Sequence, residues 1–181
     1  MRHLLSSSDR VLVSLVLALA TLSLPWLGGC ASGASGGARI EAADLDRLTG
    51  AGWKGSLIYR DYQTNNPTAI ETTLDVARVE GSDTPRWDFR RGYPKEPHAN
   101  AGEVIALSAD GTMLGEERVI ERSQLPGGGV KIVTEQESKD NNKPARLRFI
   151  YTIDDRSLRI VKLVRTGDEP EFERNRVELT R

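Results

Sequence analysis

From Trp53 onward the chain consists of β-type segments, rich in Val, Ile, Thr, Tyr and Phe, that are separated by turn residues. Most of the connections are short, and short connections make neighbouring strands antiparallel because a parallel neighbour needs a crossover of a dozen or more residues. The sequence therefore predicts an all-β fold, an antiparallel up-and-down meander of eight to nine strands in a closed or nearly closed small barrel. The nine candidate strands lie near 53–62, 68–79, 85–93, 102–109, 112–122, 129–138, 145–153, 157–166 and 171–180.

Alternation along these strands indicates a barrel with one apolar inner face. In 85–93, for example, Trp87 and Phe89 alternate with charged residues. A barrel of about eight strands is just wide enough either to be filled by side chains or to hold one small ligand, and both alternatives are open at this level. The candidate ligand-lining residues of the interior are Trp53, Leu57, Tyr59, Trp87, Phe89, Leu147, Phe149 and Tyr151.

A short helix is predicted ahead of the first strand, within residues 40–48. Ile40, Leu45 and Leu48 fall on one side of it, acidic residues lie toward its start, and Gly50 ends it. We assign residues 40–181 to a single barrel domain.

The N-terminus has the composition of a secretory signal peptide. Arg2 and Arg10 precede an apolar run over 11–24, which Pro25 and small residues follow. A membrane-spanning helix needs about 20 apolar residues, so this run is short for a permanent span. We predict a cleaved signal peptide over 1–29.

Leu27-Gly28-Gly29-Cys30 directly follows this apolar run and resembles the lipobox of bacterial lipoproteins. The resemblance implies that Cys30, the only cysteine of the chain, becomes the mature N-terminus and carries acyl chains on its sulfur and its amine. Such chains anchor a protein stably to a membrane. Residues 30–39 would then be the lipidated cysteine and a flexible Gly/Ser/Ala linker. The residue after the cysteine is Ala31 rather than Asp, and in this the chain resembles lipoproteins that are sorted to the outer membrane. The resemblance predicts an outer-membrane-anchored protein that faces the periplasm.

The order of helix, glycines and Trp53, followed by "WKGSLIYRDY", resembles the start of a lipocalin-like, calycin-type barrel. In that family a short helix plugs one end of the barrel, and a tryptophan of the first strand packs there under an arginine from the last strand. The resemblance implies that Trp53 is this tryptophan, with Arg174 or Arg176 as the covering arginine.

The composition argues against several classes of function. Removal of 1–29 leaves 23 basic and 25 acidic residues, a net charge of −2 without the basic excess of a nucleic-acid-binding protein. Beyond the signal peptide the chain has one histidine, His98, and Cys30 is assigned to lipid, which removes most side chains used for nucleophilic, general-base or transition-metal chemistry. Glu116 and Glu117 are adjacent in a strand, so they face opposite sides and form no dyad. We expect that the protein is not an enzyme and that it binds no cofactor or metal.

Two functional hypotheses follow. The first is a membrane-anchored periplasmic lipoprotein of the bacterial envelope that is not an enzyme and binds a small hydrophobic ligand in its barrel. The alternative is a structural or assembly lipoprotein with a solid barrel, whose outer surface binds an envelope protein. An enclosed apolar cavity of about 300 Å³ or more would distinguish the first from the second.

Overall fold

The strands of the protein pair in the order in which the chain forms them. The computed structural model describes residues 37–61 and 66–181. Cys30, the lipobox and the signal peptide predicted over 1–29 lie outside the described residues. In the described part, ten antiparallel strands and one short helix form a nearly closed up-and-down barrel, which confirms the predicted fold class.

The helix and strands have the following bounds. Helix α1 spans Ala42–Asp46, a 3-10 turn spans Pro97–Ala99, and the strands are β1 Gly50–Arg60, β2 Pro67–Arg78, β3 Arg86–Gly92, β4 Ala101–Ala106, β5 Met113–Leu114, β6 Glu117–Gln124, β7 Val130–Asp140, β8 Lys143–Ile153, β9 Ser157–Arg165 and β10 Phe172–Thr180. Among the described residues, no helix is long and apolar enough to span a bilayer.

The first and last strands close the barrel. Leu57 of β1 pairs with Ile70 of β2 on one side and with Val177 of β10 on the other. The sheet order starts at β4 and ends at β5, and these strands meet only at the hairpin that joins them, where Leu107 bridges to Leu114. Above that bridge, β4 and β6 are not paired in the described structure. We call this unpaired boundary the lateral slot.

The structure has ten strands, whereas the sequence predicts nine. The difference arises within the predicted strand 112–122, which the structure divides into β5 and β6. Gly115 has a φ of 59°, a left-handed conformation that glycine adopts readily, and the chain reverses there. Met113 consequently pairs back onto Arg118.

The buried core lies at the end of the barrel that α1 covers, which we call the lower end. Trp53, Trp87 and Leu158 are almost completely buried there, and α1 adds Leu45 and Leu48. The β4–β5 turn also packs on the segment before α1, since the Ile40 amide donates to the Gly111 carbonyl at 3.0 Å. A side chain at Gly111 would place its Cβ 2.3 Å from the Ile40 carbonyl oxygen, so only glycine fits this approach.

Candidate functional site

A cavity of about 450 Å³ extends inside the barrel from α1 toward the upper end. Every strand except β2 contributes at least one side chain to it, and all of these strands but β6 and β7 contribute an apolar one, because inward-facing residues alternate along each strand. The apolar lining residues are Leu45, Leu48, Leu57, Phe89, Ile105, Leu114, Leu147, Phe149, Tyr151, Ile160 and Val177. The polar and charged ones are Arg91, Glu103, Glu117, Gln136, Lys162 and Asn175.

The residues that the sequence predicts for the interior occupy two levels. Five of them line the cavity, namely Leu57, Phe89, Leu147, Phe149 and Tyr151. Trp53 and Trp87 are fully buried in the core at the lower end. Tyr59 is half-buried on β1, where it pairs with Thr68 and Asn175, and it is not among the residues that line the cavity. The role of these residues in ligand binding stays a prediction.

The charged lining residues were not predicted from the sequence, although the alternation contains a signal for them. Arg91 lies two and four residues after Phe89 and Trp87 on β3, and therefore shares their inward face. Lys162 lies two residues after Ile160 and four after Leu158 on β9, and therefore shares their inward face. Charged residues within a strand usually face solvent, so the pattern by itself predicts only apolar residues for the interior.

Glu117 is the most constrained ionisable group of the cavity. The Thr134 hydroxyl donates to its Oε2 at 2.5 Å, and the Tyr151 hydroxyl donates to the same oxygen at 2.8 Å. Burial raises the pKa of Glu117 and the nearby Glu103 charge adds to this, while the two hydroxyl donors and the Lys162 charge act in the opposite direction. The net effect is a raised pKa, so Glu117 holds its proton at a higher pH than an exposed glutamate does.

The second carboxylate oxygen of Glu117 is available to a ligand. Its Oε1 accepts no hydrogen bond in the described structure, and no fully inaccessible side-chain oxygen or nitrogen of the described residues lacks a partner. Oε1 is therefore not fully enclosed, and Glu117 is one of the residues that line the cavity. Burial, together with the Glu117 charge, raises the pKa of Tyr151 well above its usual value, so this hydroxyl remains a donor.

Two cations of the cavity form no direct ion pair with an acidic residue of the described structure, although the charge of Lys162 acts on Glu117. Within the described part of the chain, neither Arg91 nor Lys162 forms an ion pair or a hydrogen bond, and the Lys162 Nζ lies 5.9 Å from the centroid of the Phe149 ring. On the outer face, in contrast, Arg148 pairs with both Glu135 and Glu171. The cavity thus contains two positive groups that the protein leaves without a counter-ion in direct contact.

At the lower end, Trp53 and an arginine hold the segment that follows α1. The Trp53 Nε1 donates to the Leu48 carbonyl at 2.9 Å, and the Arg181 guanidinium carbon lies 4.3 Å from the Trp53 ring centroid. Arg181 also donates to the carbonyls of Arg47 and Thr49 at 2.7 and 2.9 Å. This arrangement of plug, tryptophan and arginine is compatible with a calycin-like barrel.

The covering arginine is Arg181, and the prediction of Arg174 or Arg176 is wrong in this respect. Arg176 pairs in register with Ile58 and binds Glu173 and Glu178, so it faces away from the interior that Val177 enters. Arg174 lies beyond a bulge near the start of β10 and binds Asp140. Arg181 follows the end of β10, where the strand reaches the lower end of the barrel.

Two further contacts attach α1 to the barrel. The Trp87 Nε1 donates to the Asp46 carboxylate at 3.0 Å, and Arg78 both binds Asp46 and covers the Trp87 ring at 5.0 Å. Arg122 binds the buried Asp44 through two hydrogen bonds, of 2.7 and 2.8 Å. Burial acts to raise the pKa of Asp44, but the hydrogen bonds and charge of Arg122 outweigh it and the pKa is lowered.

Comparison with known families and with curated proteins found no family model and no curated relative that matches this chain. Within residues 37–61 and 66–181, no group of three or more His, Cys, Asp or Glu side chains is arranged to hold a metal ion. The cavity therefore has to be interpreted from its own chemistry, which combines a deep apolar wall with a mixed-charge upper part.

Proposed function

We propose that this protein is a membrane-anchored lipoprotein of the bacterial envelope that binds one small hydrophobic ligand inside its barrel and is not an enzyme. The observation that carries the proposal is the cavity. Its volume of about 450 Å³ falls within the range of small-molecule sites, and most of its lining residues are apolar.

The chemistry of the lining favours binding over catalysis. No cysteine, histidine or serine is among the described residues that line the cavity. Glu117, the cavity carboxyl whose pKa is raised, has an oxygen engaged by two hydroxyl donors that belong to structural strands. These groups can hydrogen-bond a ligand, but no nucleophile activated by a base accompanies them.

The position of the linker supports an anchored carrier with an accessible cavity. Ile40 lies at the lower end beside the β4–β5 turn, whereas the charged groups of the cavity lie toward the upper end. The nine residues between Cys30 and Ile40 reach at most about 35 Å. Acyl chains on Cys30 would hold the barrel close to an outer-membrane surface, on the periplasmic side, with the linker attached away from the charged part of the cavity.

The anchor is tested by labelling cells with a radioactive or clickable palmitate. The wild-type chain is expected to take up the label and to lose the mass of residues 1–29, while Cys30→Ala does neither. Ser35→Ala is the matched control and is expected to behave like the wild type. Label on the Cys30→Ala chain, or none on the wild type, would contradict the lipoprotein assignment.

The carrier function is tested with a tetradecanol that bears a photoactivatable diazirine on its terminal carbon. The lipidated chain in phosphatidylcholine nanodiscs is expected to be labelled on cavity strands. Ile160→Trp fills the cavity and should abolish labelling, while Val104→Trp, at an outward position with 58% exposure, should leave it unchanged. Labelling that persists in Ile160→Trp, or is absent from the wild type, would overturn the proposal.

A second candidate function is the binding of an envelope protein through the outer surface, and the free edge of β4 favours it. β4 ends the sheet order, so its backbone groups along the lateral slot are not paired within the described structure. Val104 is exposed there, and unpaired edges are templates for strand addition. Val104→Lys is expected to abolish capture of such a partner by crosslinking in cells, without affecting the labelling by tetradecanol.

A further inference from the structure

We infer that the ligand of the cavity is a single-chain amphiphile with an anionic head group, which Arg91 and Lys162 bind. This inference rests on the proposed carrier function and specifies the chemical class of its ligand. The apolar wall would hold the chain, and the two cations near the upper end would hold the head group.

The first argument is the absence of partners for these two cations. Arg91 and Lys162 are both only partly exposed, and both line the cavity. Neither forms an ion pair or hydrogen bond in the described structure, whereas acidic partners engage most arginines of the outer face. A partly desolvated cation without a partner is unfavourable, and a carboxylate or phosphate that enters the cavity would satisfy it through charge-assisted hydrogen bonds.

The second argument is that neither acidic lining residue forms a direct ion pair with these cations, although the Lys162 charge acts on Glu117 from a longer distance. Glu103 is solvent-exposed and forms no direct ion pair with either cation in the described structure. Glu117 is buried and its pKa is raised, which favours its neutral form relative to an exposed glutamate. When Glu117 is neutral it can also donate a hydrogen bond to an anion. The cavity is therefore better suited to a negative head group than to a positive one.

The third argument is the direction in which polarity changes along the wall. On β9 the inward side chains change from Leu158 through Ile160 to Lys162, and on β10 they change from Val177 to Asn175, which pairs with Lys162. Arg91 likewise follows Phe89 on β3. A chain with one polar end fits this gradient, because its terminal carbon then lies near α1 and its head group near the cations. A uniformly apolar ligand would leave the upper part of the cavity unsatisfied.

The experiment compares four diazirine probes of equal chain length on the lipidated protein in phosphatidylcholine nanodiscs at pH 8. Myristic acid and 1-myristoyl-lysophosphatidate are the anionic probes, tetradecanol is the uncharged one, and tetradecylamine is the cationic one. The readout is the probe concentration for half-maximal labelling, together with the labelled peptides. Comparison between variants for one probe cancels the partition of that probe into lipid.

The variants remove charge and keep side-chain length. Arg91→Met and Lys162→Met are each expected to raise the half-maximal concentration of at least one anionic probe about tenfold, a factor that the loss of one charge-assisted contact gives. Neither should change the value for tetradecanol. Arg90→Met is the matched control on β3, since Arg90 points to the opposite face with its side chain 75% exposed and paired to Asp88. Arg159→Met is the control on β9, where Arg159 pairs with Glu178 on the outer surface.

The outcomes separate this inference from the carrier function. A loss confined to the myristic acid probe identifies a carboxylate head group, and a loss confined to the lysophosphatidate identifies a phosphate. The inference is overturned if both variants bind the anionic probes as the wild type does, or if they raise the half-maximal concentration of tetradecylamine by the same factor as that of the anionic probes. In those cases labelling by tetradecanol leaves the carrier function standing, whereas failure of all four probes to label the cavity strands overturns both.

Discussion

The two ends of this barrel are built from the same strands and differ in the chemistry of their inward residues. Along β3 the inward positions are Trp87, Phe89 and Arg91, from the lower end to the upper end. Along β9 they are Leu158, Ile160 and Lys162. The lower end is consequently a sealed apolar core, and the upper end is a cavity with cations in its wall. The backbone supplies an inward position at every second residue, and the sequence decides whether that position is filled for stability or left for a ligand.

The contrast also extends to the pairing of charged groups. At the lower end, each charged group that holds α1 has a partner: Asp44 has Arg122, Asp46 has Arg78, and Arg181 has backbone carbonyls. At the upper end, neither Arg91 nor Lys162 forms a direct ion pair or hydrogen bond in the described structure. Paired groups position a helix, while unpaired groups in a cavity are available for recognition. Four substitutions test this comparison.

The largest effect is expected from Trp53→Ala, which removes a fully buried ring from the lower core. The free energy of unfolding should fall by about 3–5 kcal/mol, since the substitution combines loss of buried area with a cavity. Urea denaturation followed by circular dichroism measures it. Tyr59→Ala, on the same face of β1 at the upper end and only half-buried, should cost less than about 2 kcal/mol. Equal losses at the two positions would remove the distinction between a structural and a functional end.

Asp44→Asn is expected to have the second largest effect and to lower the free energy of unfolding by about 3 kcal/mol. The substitution leaves Arg122 without a counter-charge beside a nearly buried site. The control is Asp155→Asn, whose side chain is 83% exposed in its pair with Arg47 and which should have almost no effect. The pH dependence has a defined sign. The pKa of Asp44 is lowered from 3.8, so its stabilising contribution is present above that value and is lost as the pH falls through the folded pKa. A variant that lost no stability at pH 7 would show that the pair does not hold α1.

Arg181→Ala is expected to cost about 1–2 kcal/mol, since it removes charged hydrogen bonds to carbonyls together with the contact over Trp53. Arg181→Lys should recover only part of this loss because an ammonium cannot reproduce the planar fork of a guanidinium. Thermal unfolding monitored by tryptophan fluorescence measures both. Arg176→Ala is the comparison on β10, and it should matter less because its partners are on the outer surface. A loss at Arg176 as large as that at Arg181 would contradict this account of the lower end.

Glu117→Gln has the smallest expected effect and a distinctive pH profile. Burial raises the pKa of Glu117, so the folded protein holds this proton more tightly than the unfolded chain does. The wild type should therefore lose stability relative to Glu117→Gln as the pH rises from 4.5 through the folded pKa. Urea denaturation between pH 4 and pH 8 measures the difference. Glu116→Gln, on the exposed turn beside it, should show no such trend, and a trend in Glu116→Gln of equal size would refute the assignment.

Much of this fold could be predicted, because strand type, turn chemistry and short connections are local properties of the chain. Asp110-Gly111 predicts the hairpin between β4 and β5, and the structure has that turn with Gly111 at a φ of 73°. The reversal at Gly115 was missed, since one glycine between two β-type runs is also common within a strand. The prediction of Arg174 or Arg176 as the covering arginine was wrong because the direction of a side chain at the end of a strand depends on where the strand meets the plug.

The cavity was harder to predict than the fold. The alternation in β8 correctly indicates which face is inward, but whether Phe149 and Tyr151 fill that interior or border a space depends on side chains from distant strands. Glu117 shows the same limit from the polar side. Its neighbours Thr134 and Tyr151 are 17 and 34 residues away along the chain, so no local pattern predicts that they share one carboxylate oxygen.

By itself the sequence determined the class of fold, the antiparallel order of the strands, the short helix before them and the strand face that turns inward. These properties follow from periodicity and connection length, which act between neighbours in the chain. Only the tertiary structure decided that Arg181 covers Trp53 and that β4 and β6 are not paired with each other in the described structure. It also decided that Arg91 and Lys162 line one cavity without a direct ion pair there. These properties depend on barrel closure, which brings residues far apart in the chain to the same place.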